Sequence, residues 1–405
     1  MASVSSYAPE SPYAWLRLVM ALVVVTIACV GNWSIVVALP TVQQEFGVAR
    51  AAASLPYTIG MIGFGLGGVL MGRIADRSTI AVSIVIGGIC LGLGYGAASV
   101  STSLWQFTLA HGLIGLGASA GFAPLMADVS HWFTKRRGLA VVVAASGSYL
   151  AGALWPPIVQ HVIDTQGWRW AHAALGVFAA ASLIPLSLFF LPRPAAHLLD
   201  AAPTAVANAR GDLKLSPNGL QALLVIAGFS CCVAMSMPQV HIVAYCGDLG
   251  YGVARGAEML SLMLGLGIVS RLASGLLSDR IGGVRMLLIG SVMQALALAL
   301  YLFFNGLTSL YAISAIFGLF QGGIVPMYAV IIREYLPPRE AGVRIGLVMG
   351  ATIFGMAFGG WASGLIFDLT ASYRMAFLNG LAWNAINLAV AVWLLSRPGR
   401  VARAA

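Results

Sequence analysis

Lysine is almost missing from this chain: Lys135 and Lys214 are the only two in 405 residues, and Asp and Glu together number 13. Charged residues make up 9% of the sequence against 60% hydrophobic ones. That balance excludes a soluble domain of this size, whose water-facing surface would need far more charge. The five cysteines, Cys29, Cys90, Cys231, Cys232 and Cys246, fall in or beside apolar stretches and show no C-x-x-C spacing. This excludes a disulfide framework and a cysteine metal site, leaves them as small packing residues, and leads us to expect neither metal nor cofactor. The first 14 residues carry no basic region followed by a cleavage site, so no removable signal peptide is expected.

What the chain has instead is apolar length. A helix crossing a bilayer needs about 20 predominantly apolar residues. Twelve stretches meet that need, approximately 15–40, 52–74, 79–99, 103–130, 138–163, 170–191, 217–245, 256–278, 284–304, 306–332, 342–367 and 373–396. The expected fold is an all-α membrane protein of twelve transmembrane helices. A formal charge of +9 would suggest nucleic acid in a soluble protein, but here it sorts by membrane side, so the expected partner is the lipid bilayer and no nucleic acid. With both termini on one side, 17 of the 22 Lys and Arg fall there, and Arg50, Arg169, Arg255 and Arg374 fall opposite. Arg271 is left over. The positive-inside rule then makes both termini cytoplasmic.

The widest break in hydrophobicity, Pro192 to Pro217, is polar and rich in Pro and Ala. It separates two six-helix halves, 1–192 and 217–405, joined by a cytoplasmic linker over 193–216. The halves repeat. Gly72-Arg-Ile-Ala-Asp76-Arg77 closes the second span and Gly275-Leu-Leu-Ser-Asp279-Arg280 the eighth, an offset of 203 residues, while Trp168-Arg169 and Tyr373-Arg374 open the sixth and twelfth at an offset of 205. A parallel repeat of this kind places a substrate site near the midplane between the halves.

Arg271 lies in the apolar stretch Gly256 to Ser278 and is the only Lys or Arg that falls neither in a loop nor at a membrane edge. The repeat offset sets it opposite Gly68, outside the duplicated scaffold. A cation in hydrocarbon is costly and marks a ligand or ion path. A guanidinium stays charged when desolvated, and its planar fork matches a carboxylate. The plainer alternative is a structural Arg bonded to backbone carbonyls or snorkelling inward.

The Gly-x-x-x-Asp-Arg pieces resemble the cytoplasmic loop signature of the major facilitator superfamily. That resemblance implies the major facilitator fold, with Asp76, Arg77, Asp279 and Arg280 as gating charges that lock one access state. The run Trp132-Phe-Thr-Lys135-Arg136-Arg137-Gly-Leu139-Ala140 to Gly147 resembles the fifth-span signature of monocarboxylate transporters, which adds Arg137 to the gating set. In that family, and in the similar oxalate/formate antiporters, an eighth-span Arg pairs with the substrate carboxylate, and Arg271 occupies the corresponding place. The chain departs from the animal family in lacking a first-span Lys and in having Gly267 where an Asp precedes that Arg. It lacks a second cation on the eleventh span, where the antiporters have one. These departures leave proton coupling open.

A titrating group for such coupling would be His241, which follows Pro238 on the seventh span, or His111 on the fourth. Polar residues able to line a route include Asn32, Tyr149, Gln321 and Tyr328, with Trp33, Tyr57, Asn384 and Asn387 beside them. The resulting expectation is a monomeric, multi-pass secondary carrier of the bacterial inner membrane, not an enzyme. It would move a small lactate- or pyruvate-like monocarboxylate by alternating access, with a proton as candidate co-substrate. Two alternatives stand beside it: a drug/proton antiporter, resembled by Ala38-Leu-Pro-Thr-Val but usually built on embedded carboxylates that the spans lack at their centres, and a membrane solute receptor, which would normally carry a signalling domain. Which acid, which direction and which coupling ion stay open.

Overall fold

The computed structural model describes residues 10–192, 215–336 and 340–397. Most of the expected linker, 193–214, lies outside the described residues, as does the side chain of Arg137. The described chain is helical, in sixteen α-helices and one short 3-10 turn, Leu188–Phe190. In the first half these are α1 (Pro12–Ala28), α2 (Val30–Phe46), α3 (Arg50–Arg77), α4 (Ile80–Ser99), α5 (Leu104–Ala120), α6 (Ala123–Trp132), α7 (Arg137–Ala145), α8 (Gly147–Gln166) and α9 (Trp168–Ser187). In the second they are α10 (Pro217–Asp248), α11 (Val253–Ile281), α12 (Gly283–Phe303), α13 (Leu307–Gln321), α14 (Ile324–Tyr335), α15 (Ala341–Thr370) and α16 (Tyr373–Ser396). Together they form twelve spans long and apolar enough to cross a membrane, because α1–α2, α5–α6, α7–α8 and α13–α14 each make one interrupted span.

Local chemistry sets the helix ends. Ser11, Thr79, Ser103, Ser216 and Ser372 each accept a backbone N–H of the first turn they precede, and Pro follows at the first helical position of α1 and α10. Gly47 ends α2 in the left-handed conformation, φ 60°, which a Cβ would oppose. Ala371 adopts the same conformation, φ 51°, at the end of α15.

The described residues group into two compact units. One holds 10–49 and 53–192, the other 50–52 and 215–397. In the first, α4 packs on α5 and α9, and α2 on α8. In the second, α10 packs on α15 and α16, α11 on α13, and α12 on α16.

The repeat seen in the motifs recurs in the packing. A Cβ on Gly115 of α5 would fall on the carbonyl oxygen of Gly60 of α3, and a Cβ on Gly318 of α13 would fall on that of Met263 of α11. Both members of the second pair lie 203 residues beyond those of the first, the motif offset. Bilayer helices gain little by burying apolar surface against each other, so close backbone approach through small residues carries the packing. The interruptions repeat as well: Gly121-Phe122 breaks the fourth span and Gly322-Gly323 the tenth.

Candidate functional site

In hydrocarbon, backbone groups freed by a helix break must find protein partners. At Gly322-Gly323 the neighbouring α11 supplies them from two consecutive residues. Ser270 Oγ accepts the Gly323 N–H at 3.1 Å, and the half-buried Arg271 donates from Nε to the Gly322 carbonyl at 3.4 Å. Gln321, the last residue of α13, is fully buried at the same break. Its Oε1 accepts from Gln239 Nε2 at 2.6 Å, while its own Nε2 has no partner. A buried amide donor without a partner is costly. Arg271, Gln321 and Gln239 thus bring a cation and amide donors to one break, and the ligand such a set suits is an anion with several acceptor oxygens.

In the first unit, Asn32, Tyr57 and His111 line one narrow crevice with Gly31, Ile35, Pro56, Gly60 and Met61. His111 is 1% exposed, and its Nδ1 lies 2.9 Å from the carbonyl of Phe107 one helical turn earlier. Because a carbonyl can only accept, Nδ1 carries the hydrogen and Nε2 is left as a lone pair with no protein partner. His172 repeats the arrangement against Trp168, its ring centroid 5.6 Å from that of His111.

His241 is differently employed. Its Nε2 faces the Gly360 carbonyl at 2.8 Å, and its Nδ1 faces the hydroxyl of Tyr373 at 3.4 Å. Tyr373 in turn accepts from Arg50, whose Nη atoms also donate to both oxygens of Asp248. The Tyr328 hydroxyl is held between the Ala227 carbonyl and Asn387, and Asn387 bonds Ser291. Tyr149 is buried near the start of α8, three residues past the interruption at Ser146. Asp76, Arg77, Asp279 and Arg280 are exposed, and among the described residues Asp76, Arg77 and Arg280 have no hydrogen bond or ion pair.

Arg271 is not the most deeply buried cation of the described residues. Arg17 is 1% exposed on α1 and donates from Nε and Nη2 to Asp128, from Nη1 to the Tyr13 hydroxyl and the Pro192 carbonyl, and from Nη2 to the Phe190 carbonyl. Its place near a span's end suggested a membrane edge, but protein covers it. Arg50, placed in the opposite group of loop charges, is 6% exposed for the same reason. Gln239 and His172 also carry site geometry that residue type alone did not reveal. The available signals were the position of Gln239 immediately after Pro238 and the four-residue spacing of both histidines from an aromatic residue.

Twelve membrane-length spans in two units that repeat their motifs, breaks and glycine crossings at offsets of 201 to 205 residues define a two-half membrane transporter. The family described as the Major Facilitator Superfamily matches residues 21–310 and again 259–405. The chain belongs to that superfamily and is one of its transporters, carriers rather than enzymes. It is 29% identical over 331 residues to monocarboxylate transporter 13 of Bos taurus, covering 80% of this chain and 75% of that protein. It is 26% identical over 288 residues to the MFS-type transporter pynF of Aspergillus niger, covering 70% of this chain and 65% of that one. The xylose transporter XylE from E. coli, in a partially occluded inward-open conformation, has a TM-score of 0.74 at 12% identity, covering 96% of this chain and 99% of that one. That likeness concerns the fold.

Proposed function

We propose that this transporter carries a small monocarboxylate and that Arg271 meets its carboxylate. The observation that carries the reading is that Arg271 bonds the Gly322 carbonyl at the same helix break where the neighbouring Gln321 has a buried Nε2 without a partner. A carboxylate there would accept from the guanidinium and give Gln321 Nε2 the partner it lacks. The likeness to a protein named as a monocarboxylate transporter supports the same class.

His111 is the better of the two candidates for a coupled proton. Its unpaired Nε2 lone pair can take a proton without breaking its bond to Phe107, whereas Nδ1 of His241 already faces a phenol beside a guanidinium. Inward accumulation of an anion against a negative-inside potential opposes roughly 2.3 kcal/mol per 100 mV, so a proton or an exchanged anion must accompany it. In this reading the protein sits in a bacterial inner membrane with its termini cytoplasmic, as a monomer, and Asp76, Arg77, Asp279, Arg280 and Arg137 act as inner gating charges.

The test is counterflow of labelled lactate and pyruvate into proteoliposomes. Exchange saturable by small monocarboxylates and lost in Arg271→Ala, with normal membrane insertion, is the expected outcome. Undiminished exchange by that variant removes Arg271 from the site. Counterflow of apolar cations but of no acid removes the substrate class.

A further inference from the structure

We infer that His111 and His172 form one buried proton site in the first unit, in which a single water links the two rings and one proton is shared between them. This rests on the reading of His111 as the residue that carries a coupled proton, and adds His172 as its positioning partner. Both rings are held the same way. His111 Nδ1 donates to the Phe107 carbonyl at 2.9 Å and His172 Nδ1 to the Trp168 carbonyl at 2.8 Å, each one turn back along its own helix. Each Nε2 is therefore a lone pair. The rings are 1% and 0% exposed, their centroids are 5.6 Å apart, and neither Nε2 has a partner among the described residues. The Thr108 hydroxyl, three residues before His111 and on the same side of α5, is also buried without a partner among them. One water donating to both lone pairs and accepting from Thr108 satisfies all three groups.

The second unit shows that the scaffold does not require imidazoles here. At the 203-residue offset of the glycine crossings, His111 of α5 corresponds to Ser314 of α13. At the 205-residue offset of the motifs that open α9 and α16, His172 corresponds to Phe377. Both counterparts are satisfied: Ser314 bonds the Tyr301 hydroxyl at 2.8 Å, and Phe377 stacks on the same ring with centroids 4.8 Å apart. The two lone pairs are thus an addition of the first unit to the repeated scaffold.

A proton arriving on one Nε2 creates a buried cation whose new N–H needs an acceptor. The other imidazole supplies it through the water, and a hydrogen bond made by a charged donor is among the stronger ones. A second proton is excluded, because it would set like charges on two adjacent buried rings. The other titratable groups on the elements around the pair are engaged elsewhere. Tyr95 of α4 bonds Ser34 of α2, Glu45 of α2 accepts from Trp168 Nε1 and Arg169 of α9, and Asp164 of α8 accepts from Gln160. Asp128 of α6 accepts from Arg17 of α1, and Tyr57 of α3 lines the crevice beside His111. The acceptor for a proton on His111 is therefore His172.

The test reads the proton itself, with transport as a second measure. In the full chain labelled with nitrogen-15 histidine and held in phosphatidylcholine nanodiscs, the ring-nitrogen resonances of His111 and His172 are assigned from single variants and followed as the pH is lowered. Both are expected to move together over one interval, with one proton taken up by the pair. His172→Phe installs the ring that the second unit carries at this place and so keeps the packing, while His172→Asn keeps an N–H for the Trp168 carbonyl. The loss common to both is the Nε2 lone pair. Each should therefore weaken proton binding at His111 about tenfold or more, the size of a lost hydrogen bond to a charged group, and flatten the rise of lactate uptake at low outer pH. An unchanged His111 titration in either variant, two protons taken up separately, or rings that stay neutral until the protein unfolds each overturns the shared site. The resonances need no substrate, so a failure of lactate transport leaves this result standing, and the monocarboxylate reading is judged by counterflow.

Discussion

Arg17 and Asp128 meet through two parallel hydrogen bonds, Nε to Oδ2 at 2.8 Å and Nη2 to Oδ1 at 2.9 Å, with the guanidinium 1% and the carboxylate 10% exposed. The cation also lies over the rings of Trp132 and Phe190, 4.7 and 4.9 Å from their centroids. Removing one member leaves the other charged, buried and unpaired. Arg17→Ala or Asp128→Ala should cost roughly 3–5 kcal/mol, whereas replacing both by apolar residues of similar volume should cost far less. Thermal unfolding of the purified transporter in one detergent checks both. A double variant as unstable as the singles would mean that the pair itself, not the orphaned charge, supports the fold.

The duplicated glycine crossings predict a paired sensitivity. Gly115→Ala and Gly318→Ala each drive a methyl into a facing backbone carbonyl that cannot swing aside as a side chain could. Each should destabilise its unit by roughly 1–3 kcal/mol or more, seen as lost monodisperse yield. Gly72→Ala, with nothing within 4 Å of the new methyl, should behave as the parent does. Equal tolerance at all three positions would dissolve the crossing argument.

These two results mark the boundary of what residue order discloses. Apolar length located all twelve spans, and the structure extends most of them by a turn or less, because no other structure could bury so much apolar sequence in a bilayer. The Gly72 and Gly275 motifs disclosed the repeat at the offset the crossings then reproduce. The breaks at Gly121 and Gly322 stayed hidden among 48 glycines, since a break depends on a neighbouring helix supplying Ser270 and Arg271 as substitutes. The burial of Arg17 was not legible because its partner lies 111 residues away. Of the candidate ligands, Arg271 and Gln321 come together in one unit and Asn32 and His111 in the other, while Tyr328 and His241 are bonded elsewhere. Residue type and depth cannot separate those cases, because bond partners are a tertiary property.

Asp368 makes a prediction about helix α3. The residue before that helix is Ala49, which has no side-chain acceptor, so the first turn is capped from α15: Asp368 Oδ1 accepts from Arg50 N at 2.8 Å and Oδ2 from Ala51 N at 2.7 Å. A carboxylate there also complements the helix dipole. Asp368→Ala should cost about 1–2 kcal/mol, and Asp368→Asn less, because an amide keeps one acceptor. Unfolding midpoints of the two variants decide it. Equal losses would assign the effect to charge alone, and no loss in either would discount the cap.

The two histidine candidates can be told apart by choosing substitutes that keep each one's structural bond. Asn reproduces the Nδ1–H donor that His111 gives to Phe107, and Gln reproduces the Nε2–H donor that His241 gives to Gly360. His111→Asn therefore removes the unpaired lone pair together with the ring packed on Phe107 and His172, while His241→Gln removes the acceptor facing Tyr373 together with the ring beside it. With a proton carried on His111, acid uptake into vesicles rises as the outer pH falls. His111→Asn should flatten that rise while leaving counterflow at a fixed pH active, because exchange without net flux needs no change of protonation. His241→Gln should keep the parent's pH profile and lower only the unfolding temperature. The reverse pattern, a flat profile in His241→Gln and a normal one in His111→Asn, would move the proton to the pair formed by His241 and Tyr373 and leave the first-unit crevice without a part in coupling.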